Sequence, residues 1–113
     1  MIGIGFYTLD GKEPVYLGND TAAFLEMSRW RDESWDQTQL AHDEIGKAAI
    51  STVFLCWNHS LHGDDRPPLL FETMVFGGAY NHAQQRYATF DEAMAGHAVI
   101  VDQIRQQADG GAA

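Results

Sequence analysis

Two short apolar segments constrain the fold of this chain more than any other feature. Residues 48–57 (AAISTVFLCW) and 69–76 (LLFETMVF) are rich in the β-branched and aromatic side chains that favour β-strands. Successive side chains point to opposite faces of a strand, and in these segments both faces are apolar. The segments therefore predict a core hairpin that is covered on one face by a helix and on the other by a second helix or a second subunit.

The end of the chain predicts a capped amphipathic helix. Thr89 and Glu92 have the spacing of a capping box, with Thr89 as the N-cap. One apolar stripe at helical spacing follows, formed by Ala93, His97, Ile100, Val101 and Ile104. The stripe predicts a helix over residues 90–107 that packs across one face of the sheet, and the small residues of 109–113 predict a flexible tail.

The beginning of the chain predicts a hairpin followed by a short helix. Asp10-Gly11 lies between two apolar runs, and glycine accepts the positive φ that a tight hairpin turn requires. Pro14 places the returning strand at a sheet edge, because proline cannot donate to a strand ladder. Asp20 and its neighbours are good N-cap residues for a helix over 21–31.

Residues 38–45 fit either a strand that turns at Gly46 or the continuation of a helix, and the strand is favoured. Residues 86–88 predict a short final strand. Together the elements predict one α+β domain over residues 1–108. Its antiparallel sheet has four or five strands, the C-terminal helix packs on one face, and a short helix lies near the N-terminus.

Charge gives the first functional hypothesis. Seven Lys and Arg against sixteen Asp and Glu give a net charge of −9, and residues 1–45 hold nine of the acids but three of the bases. Such a chain repels phosphate backbones, so direct nucleic-acid binding is disfavoured. An acidic surface suits a partner protein with a basic surface, or serves solubility alone. The residues of the candidate binding surface are Asp32, Glu33, Asp36, Asp43 and Glu44.

Histidines and carboxylates give a second hypothesis, a divalent metal site or a metal-dependent enzyme. The candidate ligands are His59, His62, Asp64, Glu72 and His97. If the last helix brings His97 against the strand that holds Glu72, imidazole and carboxylate form a metal site or an acid–base pair. The alternatives are a solvated loop over 58–68, a Glu72 carboxylate that accepts hydrogen bonds from Arg66 or Arg86, and a satisfied core histidine at position 97.

Other features favour a non-enzymatic protein of the cytoplasm that binds no cofactor. The sequence contains neither a Gly-x-Ser-x-Gly elbow nor a phosphate-binding Gly-Lys-Ser/Thr loop. Cys56 is the only cysteine, and its apolar neighbours predict an inert buried thiol. No stretch approaches the roughly 20 apolar residues of a membrane span, and the first residues do not resemble a signal peptide.

The second half of the chain also carries a set of familiar motifs. They are STVFL at 51–55, His59, PPLLFETMVFGG at 67–78, RYAT at 86–89 and EAMAGH at 92–97. Together they resemble a family of small proteins encoded by bacteriophages and prophages. The resemblance implies a phage accessory protein that binds a host or phage protein with a basic surface, such as a defence or nucleic-acid-binding protein. It implies no catalytic residues. Separately from the resemblance, the two apolar faces of the predicted sheet in so short a chain lead us to expect a homodimer.

Overall fold

A computed structural model describes residues 4–58 and 67–111 of the chain, and it has the predicted α+β fold. Among these residues the strands form two antiparallel sheets, and the C-terminal helix packs against the larger one. The elements are β1 (Gly5–Asp10), β2 (Glu13–Gly18), α1 (Thr21–Glu33), α2 (Trp35–Thr38), β3 (Gln39–Ile45), β4 (Ala48–Phe54), β5 (Trp57–Asn58), β6 (Phe71–Phe76), β7 (Gln84–Tyr87) and α3 (Phe90–Gly111).

The larger sheet has the strand order β3-β4-β6-β7. Its centre is the predicted core hairpin, in which β4 and β6 pair from Ala49 opposite Phe76 to Phe54 opposite Phe71. Residues 38–45 take the favoured strand conformation as β3, and Gly46 makes the turn with a φ of 57°. The turn at Gly46 lets β3 pair with β4, from Gln39 opposite Val53 to Ile45 opposite Ala48, and this pairing takes the place of a continued helix.

The N-terminal hairpin forms a second sheet, which the sequence did not predict. The strand order is β2-β1-β5, so the strand that holds Pro14 lies at an edge, as predicted. The chain leaves β4 through Cys56, whose φ of 66° turns it toward β1. The backbone amide of Tyr7 then donates to the Cys56 carbonyl over 2.8 Å, and the short strand β5 pairs with β1.

Helix α1 begins as predicted, with the Asp20 side chain accepting a hydrogen bond from the Ala23 amide over 2.9 Å. Its buried residues, Ala23 and Met27, pack toward the β1 sheet. The sequence left either a second helix or a second subunit to cover the other face of the larger sheet, and α1 does not cover it. Helix α1 packs against β1 instead, and its Met27 belongs to the same apolar cluster as Tyr7.

Helix α3 begins as predicted and ends later than predicted. The Glu92 amide donates to the Thr89 hydroxyl over 3.1 Å, which is the N-cap interaction of the capping box. The buried stripe includes Ala93, His97, Val101 and Ile104. The helix continues to Gly111, past residue 107 and into the segment predicted as a flexible tail.

The core consists of two apolar clusters. The first joins the two sheets and consists of Tyr7, Leu9, Met27, Phe54, Cys56, Leu70, Phe71 and Ala93. The second lies farther along α3 and consists of Ala48, Ile50, Val75, Val101 and Ile104. Because α3 contributes to both clusters, this helix spans the length of the core.

Gly77 and Gly11 both have a positive φ, but only Gly77 also lies close to another part of the backbone. Gly77 has a φ of 84°, and a Cβ added there would lie 2.2 Å from the Lys47 carbonyl oxygen. Gly11 has a φ of 61°, but a Cβ added there would meet nothing within 4 Å. We expect Gly11→Ala to lower the free energy of unfolding by about 1–2 kcal/mol, the cost of a left-handed residue.

Gly77→Ala adds a backbone collision to that cost, so we expect a loss of about 2–4 kcal/mol. Urea denaturation of the two variants and the wild type measures both values. Equal losses for the two variants would contradict the role assigned to the contact between Gly77 and the turn at Lys47.

Candidate functional site

A set of connected, mostly buried polar side chains lies beneath α3. The His97 side chain on α3 has its Nε2 atom 2.7 Å from Oδ2 of Asp43 on β3. Its Nδ1 atom lies 2.7 Å from the hydroxyl of Thr52 on β4, and that hydroxyl bonds the hydroxyl of Thr73 on β6. We call these four residues the polar layer, since they connect the helix to three strands of the sheet.

Strand register explains how the four side chains meet. Thr52 and Thr73 are directly opposite each other in the β4–β6 ladder, and both have no exposed surface. Asp43 pairs with Ile50, two residues from Thr52, so it points to the same face of the sheet. On α3, Ala93 and Val101 lie one turn before and one turn after His97 and belong to the two apolar clusters. The polar layer therefore lies between the two halves of the core.

The partners assign the proton positions in this layer. A carboxylate only accepts hydrogen bonds, so the Nε2 atom of His97 carries a proton and donates it to Asp43. In the neutral imidazole the Nδ1 atom then accepts from the Thr52 hydroxyl, and the Thr73 hydroxyl donates to Thr52. This assignment gives every member of the layer a partner, which a buried polar group requires.

The order carboxylate, imidazole, hydroxyl is also the order of a nucleophilic triad. A nucleophile must reach the substrate, however, and Thr52 has no exposed surface while His97 is 5% exposed. Asp43 is the only accessible member among the four, with 42% of its side chain exposed. The arrangement therefore has a structural role. It matches the alternative interpretation of the sequence in which His97 is a core residue whose ring nitrogens are both hydrogen-bonded.

Glu72 lies on the other face of the sheet from the polar layer. It is next to Thr73 in β6, so its side chain points away from α3. Its carboxylate lies 2.9 Å from Nε of Arg86, the residue opposite it on β7. Glu72 and His97 therefore cannot bind the same metal ion. The partner of Glu72 is Arg86, one of the two arginines that the sequence suggested as alternatives to a metal.

The remaining residues of the metal hypothesis, His59, His62 and Asp64, lie outside the described residues. Within 4–58 and 67–111, no group of three or more His, Cys, Asp or Glu side chains is placed to hold a metal ion. A metal site built on the 59–66 loop stays a prediction from the sequence.

The candidate acidic surface is divided by the fold. Asp32, Glu33 and Asp36 are exposed where α1 ends and α2 begins, and none of them is in an ion pair within the described chain. Trp35, between them, is 57% exposed. We call these four residues the acidic corner.

The two other predicted acids lie elsewhere. Asp43 accepts the hydrogen bond from His97 and keeps 42% of its side chain exposed, but it lies on β3 and is not part of the acidic corner. Glu44, the next residue, points to the opposite face of β3 and lies 3.6 Å from His42. The alternation of side chains along β3 is the reason that these neighbours separate.

Cys56 is buried, as predicted, with 2% of its surface exposed. Burial raises the pKa of its thiol to about 11, against a smaller opposing effect of the Arg31 charge. A thiol in that state is almost entirely protonated at neutral pH and is a poor nucleophile.

Sequence reasoning did not single out Thr52 and Thr73 of the polar layer or Trp35 of the acidic corner. The two threonines carried only a weak signal, since each is polar within an apolar strand but stands next to another polar residue, Ser51 in β4 and Glu72 in β6. Within the described residues, no helix combines the length and the apolar character needed to cross a membrane.

Comparisons of the chain with protein-family models, with curated proteins and with solved structures found no match.

Proposed function

We propose that this chain is a non-enzymatic accessory protein that binds another protein, one with a basic surface, through the acidic corner. The observation that supports the proposal best is the exposure of Trp35 (57%) among three carboxylates that have no cationic partner in the described chain. An exposed tryptophan has a large hydration cost, and tryptophan is enriched among residues that dominate binding energy.

The charges of the corner support the same choice. The carboxylates of Asp32, Glu33 and Asp36 can attract Lys and Arg side chains of a partner and accelerate its approach. Trp35 can then enter an apolar pocket or stack against an arginine. The net charge of −9 favours a protein partner over nucleic acid.

The burial of the polar layer argues against catalysis there, because its hydroxyl and imidazole groups do not reach solvent. The class of partner follows from the resemblance to phage-encoded proteins: a host or phage protein with a basic surface, including defence and nucleic-acid-binding proteins. Such a partner presents the arginines and lysines that the acidic corner would recognise.

The experiment compares three forms of the protein as bait in a bacterial host lysate at about 50 mM salt. The corner variant carries Asp32→Asn, Glu33→Gln and Asp36→Asn. The control variant removes the same charge elsewhere through Asp10→Asn, Glu13→Gln and Glu44→Gln, which are exposed positions. We expect the wild type and the control to capture the same protein, and the corner variant to lose it.

The captured protein is then purified and its dissociation constant measured for each form. We expect Trp35→Ala and the corner variant each to weaken binding by about tenfold or more, and the wild-type affinity to fall as salt rises to about 300 mM. Equal affinities of the corner variant and the control would exclude the acidic corner as the binding surface. Circular dichroism checks that the variants keep the wild-type fold.

A further inference from the structure

A partly enclosed cavity lies between α3 and the β7 side of the larger sheet. Its volume is about 200 Å³. An apolar cavity of about 150 Å³ is large enough to hold benzene, so this one has room for an aromatic ring with a small substituent. Eight described residues line it: Val75, Tyr80, Ala83, Gln84, Gln85, Ile100, Gln103 and Ile104.

The inner wall of the cavity is apolar. Val75 on β6 and Ile104 on α3 are buried, with 1% and 7% of their surface exposed. Both belong to the second apolar cluster of the core, and Ile100 packs against that cluster. Because core side chains are close-packed, this wall has its shape before any ligand arrives.

The outer wall is the connection between β6 and β7, and backbone hydrogen bonds fix it. The His82 amide donates to the Val75 carbonyl over 2.8 Å, and the Val75 amide donates to the Ala83 carbonyl over 2.9 Å. The Ala83 amide donates in turn to the Tyr80 carbonyl over 2.9 Å. Both walls are therefore in place in the absence of a ligand, as is usual for small-molecule sites.

The polar groups of the cavity are neutral. None of the eight lining residues is Asp, Glu, Lys, Arg or His, although the chain as a whole has a net charge of −9. Gln85 is opposite the buried Thr73, so it points to the α3 side of the sheet, and Gln103 lines the cavity from α3. The primary amide of glutamine both donates and accepts hydrogen bonds, as does the Tyr80 hydroxyl.

We propose that this cavity binds a small neutral molecule that combines one aromatic ring with an amide group. The apolar wall takes the ring, and Tyr80, which is 46% exposed, can stack on it. The amides of Gln85 and Gln103 supply the donors and acceptors that the ligand amide needs. A charged group is disfavoured, because it would lose water without gaining a partner of opposite charge. The site shares no residue with the acidic corner, so either proposal can fail without the other.

Three probes of one size test the preference for a neutral ligand: benzamide, the anion benzoate and the cation benzamidine. Each is titrated into ¹⁵N-labelled protein while the backbone amide signals are followed. We expect benzamide to bind with a dissociation constant of about 1 mM, which is within reach of a ligand of this size. The largest signal changes should occur at Ala83, Gln85 and Gln103. Both charged probes should bind at least about tenfold more weakly. Since the chain is acidic, non-specific attraction would instead favour benzamidine.

Two substitutions separate the amide from the cavity. Gln103→Leu removes an amide from the lining, so we expect the benzamide affinity to fall by about three- to tenfold. Gln106→Leu, on the same helix but outside the lining, is its control and should change nothing. Ala83→Phe places a ring in the cavity and should abolish binding, whereas the control Ala98→Phe should not. All four positions are exposed, so the variants should fold.

Three results would overturn the proposal. One is the absence of benzamide binding to the wild type at about 10 mM probe, well above the expected dissociation constant. Another is equal binding of the three probes. The third is unchanged benzamide binding in Gln103→Leu and Ala83→Phe, which would place the ligand elsewhere on the molecule. The dispersion of the amide signals shows in the same spectra that each variant is folded.

Discussion

Replacement of Phe71 by alanine is expected to lower the free energy of unfolding by about 3–5 kcal/mol, the cost of removing a buried phenylalanine. Phe71 has no exposed surface, and its ring centre lies 5.3 Å from that of Phe54 and 6.2 Å from that of Phe90. It therefore holds β4, β6 and α3 together. A domain of this kind has about 5–15 kcal/mol of stability in total, so the variant should be close to unfolding.

Phe76→Ala is the matched control, because it removes the same side chain from the same strand. Phe76 is 48% exposed on the face that points away from α3. We expect a loss below about 1 kcal/mol there, as for an ordinary surface substitution. Urea titrations followed by tryptophan fluorescence give both values. A similar loss in the two variants would mean that the core is not centred where the burial of Phe71 places it.

His97→Ala is expected to lower the free energy of unfolding by about 2–4 kcal/mol. The substitution removes the imidazole that accepts from the Thr52 hydroxyl and donates to the Asp43 carboxylate, and it opens a cavity beneath α3. A buried polar group that loses its partner costs about 1–3 kcal/mol, and the cavity adds to that cost. Chemical denaturation of the variant at neutral pH measures the loss.

A double-mutant cycle separates the polar contact from the cavity. Thr52→Val keeps the shape of the side chain but removes the hydroxyl that bonds His97, so we expect a loss of about 1–3 kcal/mol. The double variant should lose less than the sum of the two singles, because each single already breaks the same bond. Ser51→Ala, on the same strand but the opposite face, is the control and should change little. Strictly additive losses would show that the His97–Thr52 bond does not contribute.

Much of the fold could be predicted because its strongest elements are local. The β-branched residues of 48–54 and the capping box at Thr89 determine their elements without distant partners. The second sheet could not be predicted in that way. It depends on the positive φ of Cys56, a conformation that the sequence pattern of an apolar strand does not indicate.

The candidate site was less predictable because it depends on register. The position of His97 on the buried stripe could be predicted, since helical spacing alone places it there. Its partner Asp43 is 54 residues away, on a strand whose alignment with β4 is fixed only by the assembled sheet. The same alignment sends Glu44 to the opposite face, so two adjacent acids have different roles.

The division of the core by the polar layer also determines how α3 can sit on the sheet. A shift of the helix by one turn, about 5.4 Å, would move His97 into one of the apolar clusters and put Ala93 or Val101 over the two threonines. The His97 imidazole would then lose both partners, the Asp43 carboxylate would lose its donor, and the Thr52 hydroxyl would lose its acceptor on the helix. The alternation of apolar, polar and apolar contacts along α3 therefore stabilises one position of the helix along the sheet over positions shifted by a turn.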